Sequence, residues 1–299
     1  MTPTNSLRHG QIICVTLATL LCVQASLAQA PAAAPAAAPT GTAPAKALPS
    51  AKEIFAHAIA AAGGADLLRQ QTSRLQVGTI EMPAQKLSGT IVTRTVSPDY
   101  MLVETEIPGF GKIMQGVNKS IGWSIDPMRG PALMTDAELA PVARDASIES
   151  ELDPALDYDT VEVVGEVAFR GTPSYKLKFT KASGGTTKYY SVESGHLIGS
   201  EDSVETGFGR MDVSTVFKDF KTFSGRTLAS VQENSTMGQL QRVTITSIDF
   251  APIAPGTFDL PKEIKALVDA RSAKPATPSP SPTPASGAAV PPAKAPPTK

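Results

Sequence analysis

Side chains with the types and spacing that chemistry requires are sparse in this chain of 299 residues. Beyond residue 30 it carries two histidines, His57 and His196, and no cysteine, since Cys14 and Cys22 both fall near the N-terminus. Zinc and copper sites are assembled from imidazoles and thiolates at set spacings. Neither histidine has such a partner, so no metal is expected. Serine chemistry on a Gly-x-Ser-x-Gly elbow fails as well, because Gly122-Trp123-Ser124-Ile125-Asp126 lacks the closing glycine. The Gly-Phe-Gly triplets at 109–111 and 207–209 lack the third glycine of a dinucleotide loop and read as hairpin turns. Asp145, Glu149, Glu151, Asp153, Asp157 and Asp159 form the densest acidic run. Calcium favours such carboxylates, but the run lacks the Asp-x-Asp-x-Asp-Gly order and Pro154 interrupts it. A solvated acidic segment is the expectation. With no nucleophile and base, and no phosphate loop, neither catalysis nor a cofactor is expected.

The apolar residues are more informative, and they divide the chain by period. Ser50-Ala51-Lys52-Glu53 has the spacing of a capping box. Ile54, Phe55, Ala58, Ile59 and Ala62 then share a helical face until Gly63-Gly64 stops the helix. A short second helical turn is expected over 65–70. From Arg74 the period becomes two: Met101, Val103, Thr105 and Ile107 alternate with Leu102, Glu104 and Glu106, and Tyr175, Leu177 and Phe179 with Lys176, Lys178 and Thr180. Turn signals recur about every ten residues, which predicts about ten to twelve antiparallel strands joined by hairpins. Phase slips at Val164-Gly165 and between Ile245 and Ile248 predict β-bulges, and a sheet bent at several strands curls. Thr135-Asp136-Ala137-Glu138 opens a second capped helix. The order helix, strands, short helix, strands defines an α+β domain whose helices must cover the inner face of the curl. Trp123, the sole tryptophan, reads either as a core residue or as an aromatic at the mouth of an apolar cavity.

The ends differ from this core. Arg8 and His9 precede an apolar run over 12–23, and small residues follow at Ser26, Ala28 and Ala30. A secretory leader over 1–28, cleaved after Ala28 or Ala30, fits this pattern, leaving no transmembrane helix in the mature chain. Five prolines fall between Pro31 and Pro49 and nine between Pro275 and Pro297. The stretches 29–49 and 269–299 are therefore expected to be disordered spacers around a domain at 50–268. Between residues 51 and 270 lie all 28 acidic residues but 21 basic ones, a net charge of −7. A core this acidic argues against a nucleic-acid or anionic-membrane partner.

Ala61-Ala62-Gly63-Gly64, the Gly122-Trp123 strand, the segment from Lys188 through Tyr189-Tyr190 to His196-Leu197, and Phe217-Lys218-Asp219-Phe220 through Gly225 occur in that order in a group of exported bacterial proteins. Over about 50–265 the chain resembles the outer-membrane lipoprotein-sorting (LolA/LolB-like) superfamily. The resemblance implies an unclosed, strongly curved antiparallel β half-barrel with helices in its concavity, where better-known members carry acyl chains of lipoproteins or other lipids.

Together these readings point to a non-enzymatic carrier, periplasmic or otherwise exported, that shelters an acyl chain or lipid. Met101, Val103, Trp123, Leu177, Phe179, Met211 and Val213 are expected to line its cavity. The proline-rich tail offers a contact for envelope proteins. Two alternatives stay open: an envelope structural or interaction module whose barrel is filled by its own helices, and an exported hydrolase.

Overall fold

The computed structural model describes residues 47–182, 184–206 and 209–273, with the side chains of Ala137 and of residues 203–211 outside that description. The leader expected at 1–28, nearly all of the first spacer and the tail from residue 274 lie outside the described residues.

Both capping boxes form. Ser50 accepts from the Glu53 amide and opens α1 (Ala51–Ala61). Thr135 accepts from the Glu138 amide and opens α3 (Asp136–Ala146). Each box satisfies two amides that a helix start otherwise leaves unpaired. The short α2 (Ala65–Gln70) follows α1, and one further turn, α4 (Glu149–Leu152), follows α3.

Among the described residues, thirteen strands make one antiparallel sheet, slightly more than the hairpin spacing predicts. One run holds β1 (Ser73–Met82), β2 (Leu87–Val96), β3 (Tyr100–Ile107), β4 (Gly111–Asn118), β5 (Ile121–Asp126) and β6 (Gly130–Leu133). The other holds β7 (Thr160–Phe169), β8 (Thr172–Lys181), β9 (Gly184–Ser191), β10 (Leu197–Thr206), β11 (Gly209–Phe223), β12 (Arg226–Thr236) and β13 (Gln239–Asp249). Each run is a meander, and β1 pairs with β13 to join them, so β6 and β7 are the free edges of a curved, unclosed sheet. The expected bulges are present, one at Val163/Gly165 and one where Val77/Gly78 meets Ser247/Ile245. The architecture is an α+β half-barrel.

Directly opposed residues of paired strands share a face, and this carries one face across the whole sheet. Thr105 opposes Ile91, Gly89 opposes Ile80, Ile80 opposes Val243, and Gln232 links Val243 to Phe217. Further along, Val213 opposes Asp202, Asp202 opposes Thr186, and Thr186 opposes Phe179. Met101 and Val103 on β3 therefore lie on the same face as Leu177 and Phe179 on β8. Residues 134–159 leave edge strand β6 and enter edge strand β7. A connection between opposite edges follows the chord of the curve rather than its arc, so the face beneath this strap is the concave one.

A helix absent from the expectations, α5 (Lys262–Ala273), packs on the other face. It continues through residues 269–273, so the expected spacer at 269–299 begins within a helix. Leu102, Trp123, Phe258 and Ile264 form its core, with Leu267 and Val268 against them. Gly116 stands opposite Trp123, and a Cβ on it would meet the indole at 2.5 Å. Glycine at this position leaves room for the ring.

Candidate functional site

Two helix-capped apolar patches occupy the concave face. Ile54 and Phe55 of α1 pack on Leu177, Phe179 and Tyr190, with Tyr158 and Val161 at the margin. The Phe179 ring lies 5.9 Å from Phe55 and 5.0 Å from Tyr158, within the range favoured by aromatic pairs. Val142 and Ala146 of α3 pack on Met101, Val103 and Val117. Ile80, Ile107, Ile113 and Val213 are buried too, but they belong to neither patch.

The residues expected to line one cavity are thus divided. Met101 and Val103 sit beneath α3, Leu177 and Phe179 beneath α1, and Val213 beyond both. Met211 pairs with Val204 through its backbone, and its side chain lies outside the described ones. Trp123 is a correction: it stands on the opposite face, under α5. The physical reason is that the sheet is covered on both faces, so the alternation of Ile121, Trp123 and Ile125 along β5 marks a buried side without saying which one. A cavity of about 450 Å³ also lies on that opposite face, between Val96, Tyr100, Asn118 and the segment containing Ile253 and Phe258.

The strap brings charge onto the concave face. Glu151 on α4 pairs with Arg226 and, at 3.1 Å, with Arg74, reaching the centre of the sheet from β12 and β1. Arg226 is 1% exposed, and burial holds its guanidinium below the ordinary value while Glu151 pulls it back up. The Ile148 amide donates to Ser97 Oγ at 2.8 Å, a second tie between strap and sheet. The acidic run is accordingly not a uniformly solvated segment. Its sequence neighbours gave no sign of this, because Arg74 and Arg226 are more than seventy residues away in the chain.

Further along the strap, three basic side chains converge on the Tyr158 ring. The Arg144 guanidinium lies 4.3 Å from its centroid, Lys181 Nζ 5.3 Å and Lys188 Nζ 5.7 Å. Burial, reinforced by Arg144, lowers Lys188 to about 8. Burial raises Asp202, and it raises Asp145 to about 6 against the pull of Lys188 and Arg144.

The Asp145 shift sets a pH dependence. The folded state holds this proton more tightly than the unfolded chain, so the associated stability is complete below pH 4 and lost as pH rises through 6. Asp145→Asn will remove that slope. At pH 7.5 it will gain on the order of 2 kcal/mol over the parent chain, measured by urea midpoints at pH 4.5 and 7.5. Parallel pH profiles for the two proteins would contradict this origin of the shift.

No protein-family model matches the sequence, and no curated protein is similar to it in sequence. Solved structures are similar in fold. A LolA superfamily protein from Nitrosomonas europaea superposes with a TM-score of 0.51 at 11% identity, covering 71% of this chain and 99% of its own. A DUF1329 family protein from Desulfovibrio piger gives 0.52 at 11% identity, covering 70% and 96%. At this identity the likeness establishes the fold alone, and that fold is LolA/LolB-like. Among the described residues no helix is long and apolar enough to cross a membrane.

Proposed function

We propose that this protein is an exported, non-enzymatic carrier that shelters an acyl chain or similar apolar ligand on the concave face of its half-barrel. The observation that carries the reading is a surplus of apolar lining. Ile80, Ile107, Ile113 and Val213 continue the concave face beyond the patches that α1 and α3 cap. These side chains are buried as the structure stands; uncovering them would cost about 25 cal/mol per Å², and an acyl chain lying along them would offset that cost. The strap is held by the apolar patch under α3 and by polar ties at Glu151 and Ile148, and water can replace the polar ties when it lifts. The N-terminal leader read from the sequence supports an exported, periplasmic setting.

Native mass spectrometry of protein purified from the periplasm, together with uptake of a fluorescent fatty acid, tests the proposal. A bound lipid and saturable uptake are expected. A reproducible absence of both overturns it in favour of the second reading, an envelope interaction module filled by its own helices. That reading has its own support in the tight packing of α1 and α3 against the sheet.

A further inference from the structure

The cluster around Tyr158 has a charge pattern that packing alone does not require. Arg144 comes from the strap, Lys181 from β8 and Lys188 from β9, yet all three cations gather within 6 Å of one ring. None of them forms an ion pair with a carboxylate among the described residues. Arg144 is 8% exposed; one of its amino groups donates to the Pro154 carbonyl at 3.2 Å, and the other, Nη1, is buried without a partner. Lys188 Nζ also lies 4.6 Å from the centroid of Phe179, at the boundary between the charged cluster and the α1 patch. Cations held near one another and partly out of water, with a buried donor unpaired, are costly unless an anion joins them.

We propose that Arg144, Lys181 and Lys188 seat the anionic head group of an amphiphile, a phosphate or carboxylate, whose chain extends from Phe179 onto the apolar concave face. This rests on the carrier reading and narrows its ligand to acidic amphiphiles. Guanidinium and ammonium donors suit oxyanions by charge-assisted hydrogen bonding, and Tyr158 holds the three cations in register through its ring face. Asp145 on the strap and Asp202 on β10 face the same cluster, and burial raises both of them. Protonation of Asp145 below pH 6 thus makes the seat more positive, and loss of the Lys188 proton above pH 8 makes it less so.

Titration calorimetry with dodecyl phosphate, dodecyl maltoside and inorganic phosphate tests the assignment. The parent chain is expected to bind dodecyl phosphate at least tenfold more tightly than the neutral detergent at pH 6.5. That ratio should shrink at least threefold at pH 9, and at least fivefold in Lys188→Gln. Lys181→Gln supplies a second variant should Lys188→Gln fail to fold, with the same direction expected. Equal affinity for the two detergents, or a ratio unchanged in both variants, overturns the head-group seat and leaves the carrier reading standing. Binding of neither detergent overturns the carrier reading itself. Inorganic phosphate binding as tightly as dodecyl phosphate overturns the amphiphile as ligand.

Discussion

Urea denaturation of Glu151→Gln will show a loss of about 3 kcal/mol against the parent chain, the low end of what stranding a buried charge costs. The carboxylate stands between two guanidiniums, Arg74 and Arg226. Arg226 is the critical one, because it lies almost wholly out of water and its Nε has no partner. An amide in place of the carboxylate keeps the shape of the contact and removes the charge, so the desolvated guanidinium is left uncompensated. If that is the origin of the loss, adding Arg226→Met will return more than half of it, since an apolar side chain of similar length has no charge to strand. The double variant keeps Arg226's apolar neighbour Phe250, whose ring lies 5.4 Å from the guanidinium. Hydrogen exchange gives an independent readout. The amides of Leu152 and Asp153, bonded to the Ile148 and Glu149 carbonyls, should lose protection in Glu151→Gln well before those of β1. A loss under 1 kcal/mol, or strap amides exchanging together with the sheet, would show that Glu151 is not what ties the strap down.

The same ion triad shows where reading from sequence stops. Capping boxes are legible because all their members lie within four residues, and both form where Ser50 and Thr135 place them. Bulges are legible because a phase slip is a local property of the strand, and the slips at Gly165 and near Ile245 are real. Sheet order beyond the hairpins is not local. Nothing near Leu75 or Asp249 announces that β1 and β13 pair, yet that pairing fuses the two meanders. Trp123 fails for a related reason. A sheet packed on both faces offers two buried sides, and only the packing partner decides toward which of them the apolar residues of β5 look. That partner, α5, did leave a signal. Pro261 precedes it, and Ile264, Leu267 and Val268 recur at helical spacing, a pattern easily lost beside a proline-rich tail. The cluster at Tyr158 draws on α3, β8, β9 and β10, four elements whose spacing in the chain says nothing of their meeting.

Phe179→Ala is expected to cost about 4 kcal/mol, the range for truncating an enclosed aromatic ring. The ring is fully buried beneath α1 and contacts Phe55, Tyr158 and Lys188 from three different elements. Collapse into the resulting hole would require α1, the strap and β9 to move together, so little of the cavity closes and the upper part of the range applies. The carrier and the self-filled module then diverge. A module gains nothing from added lipid. A carrier has its chain-binding face beside the hole, and any ligand bound only by the folded state adds RT ln(1 + [L]/Kd), about 2.7 kcal/mol at a hundredfold excess over Kd. Saturating lauric acid should therefore raise the urea midpoint of Phe179→Ala at least as much as that of the parent chain, because the new space accepts additional methylene groups. If the parent is stabilised and the variant is not, the chain does not run past Phe179, and the proposed path from Lys188 onto the concave face is wrong. If neither responds while both fold, the concave face is filled by its own helices, and the surplus lining at Ile80, Ile107 and Val213 is core.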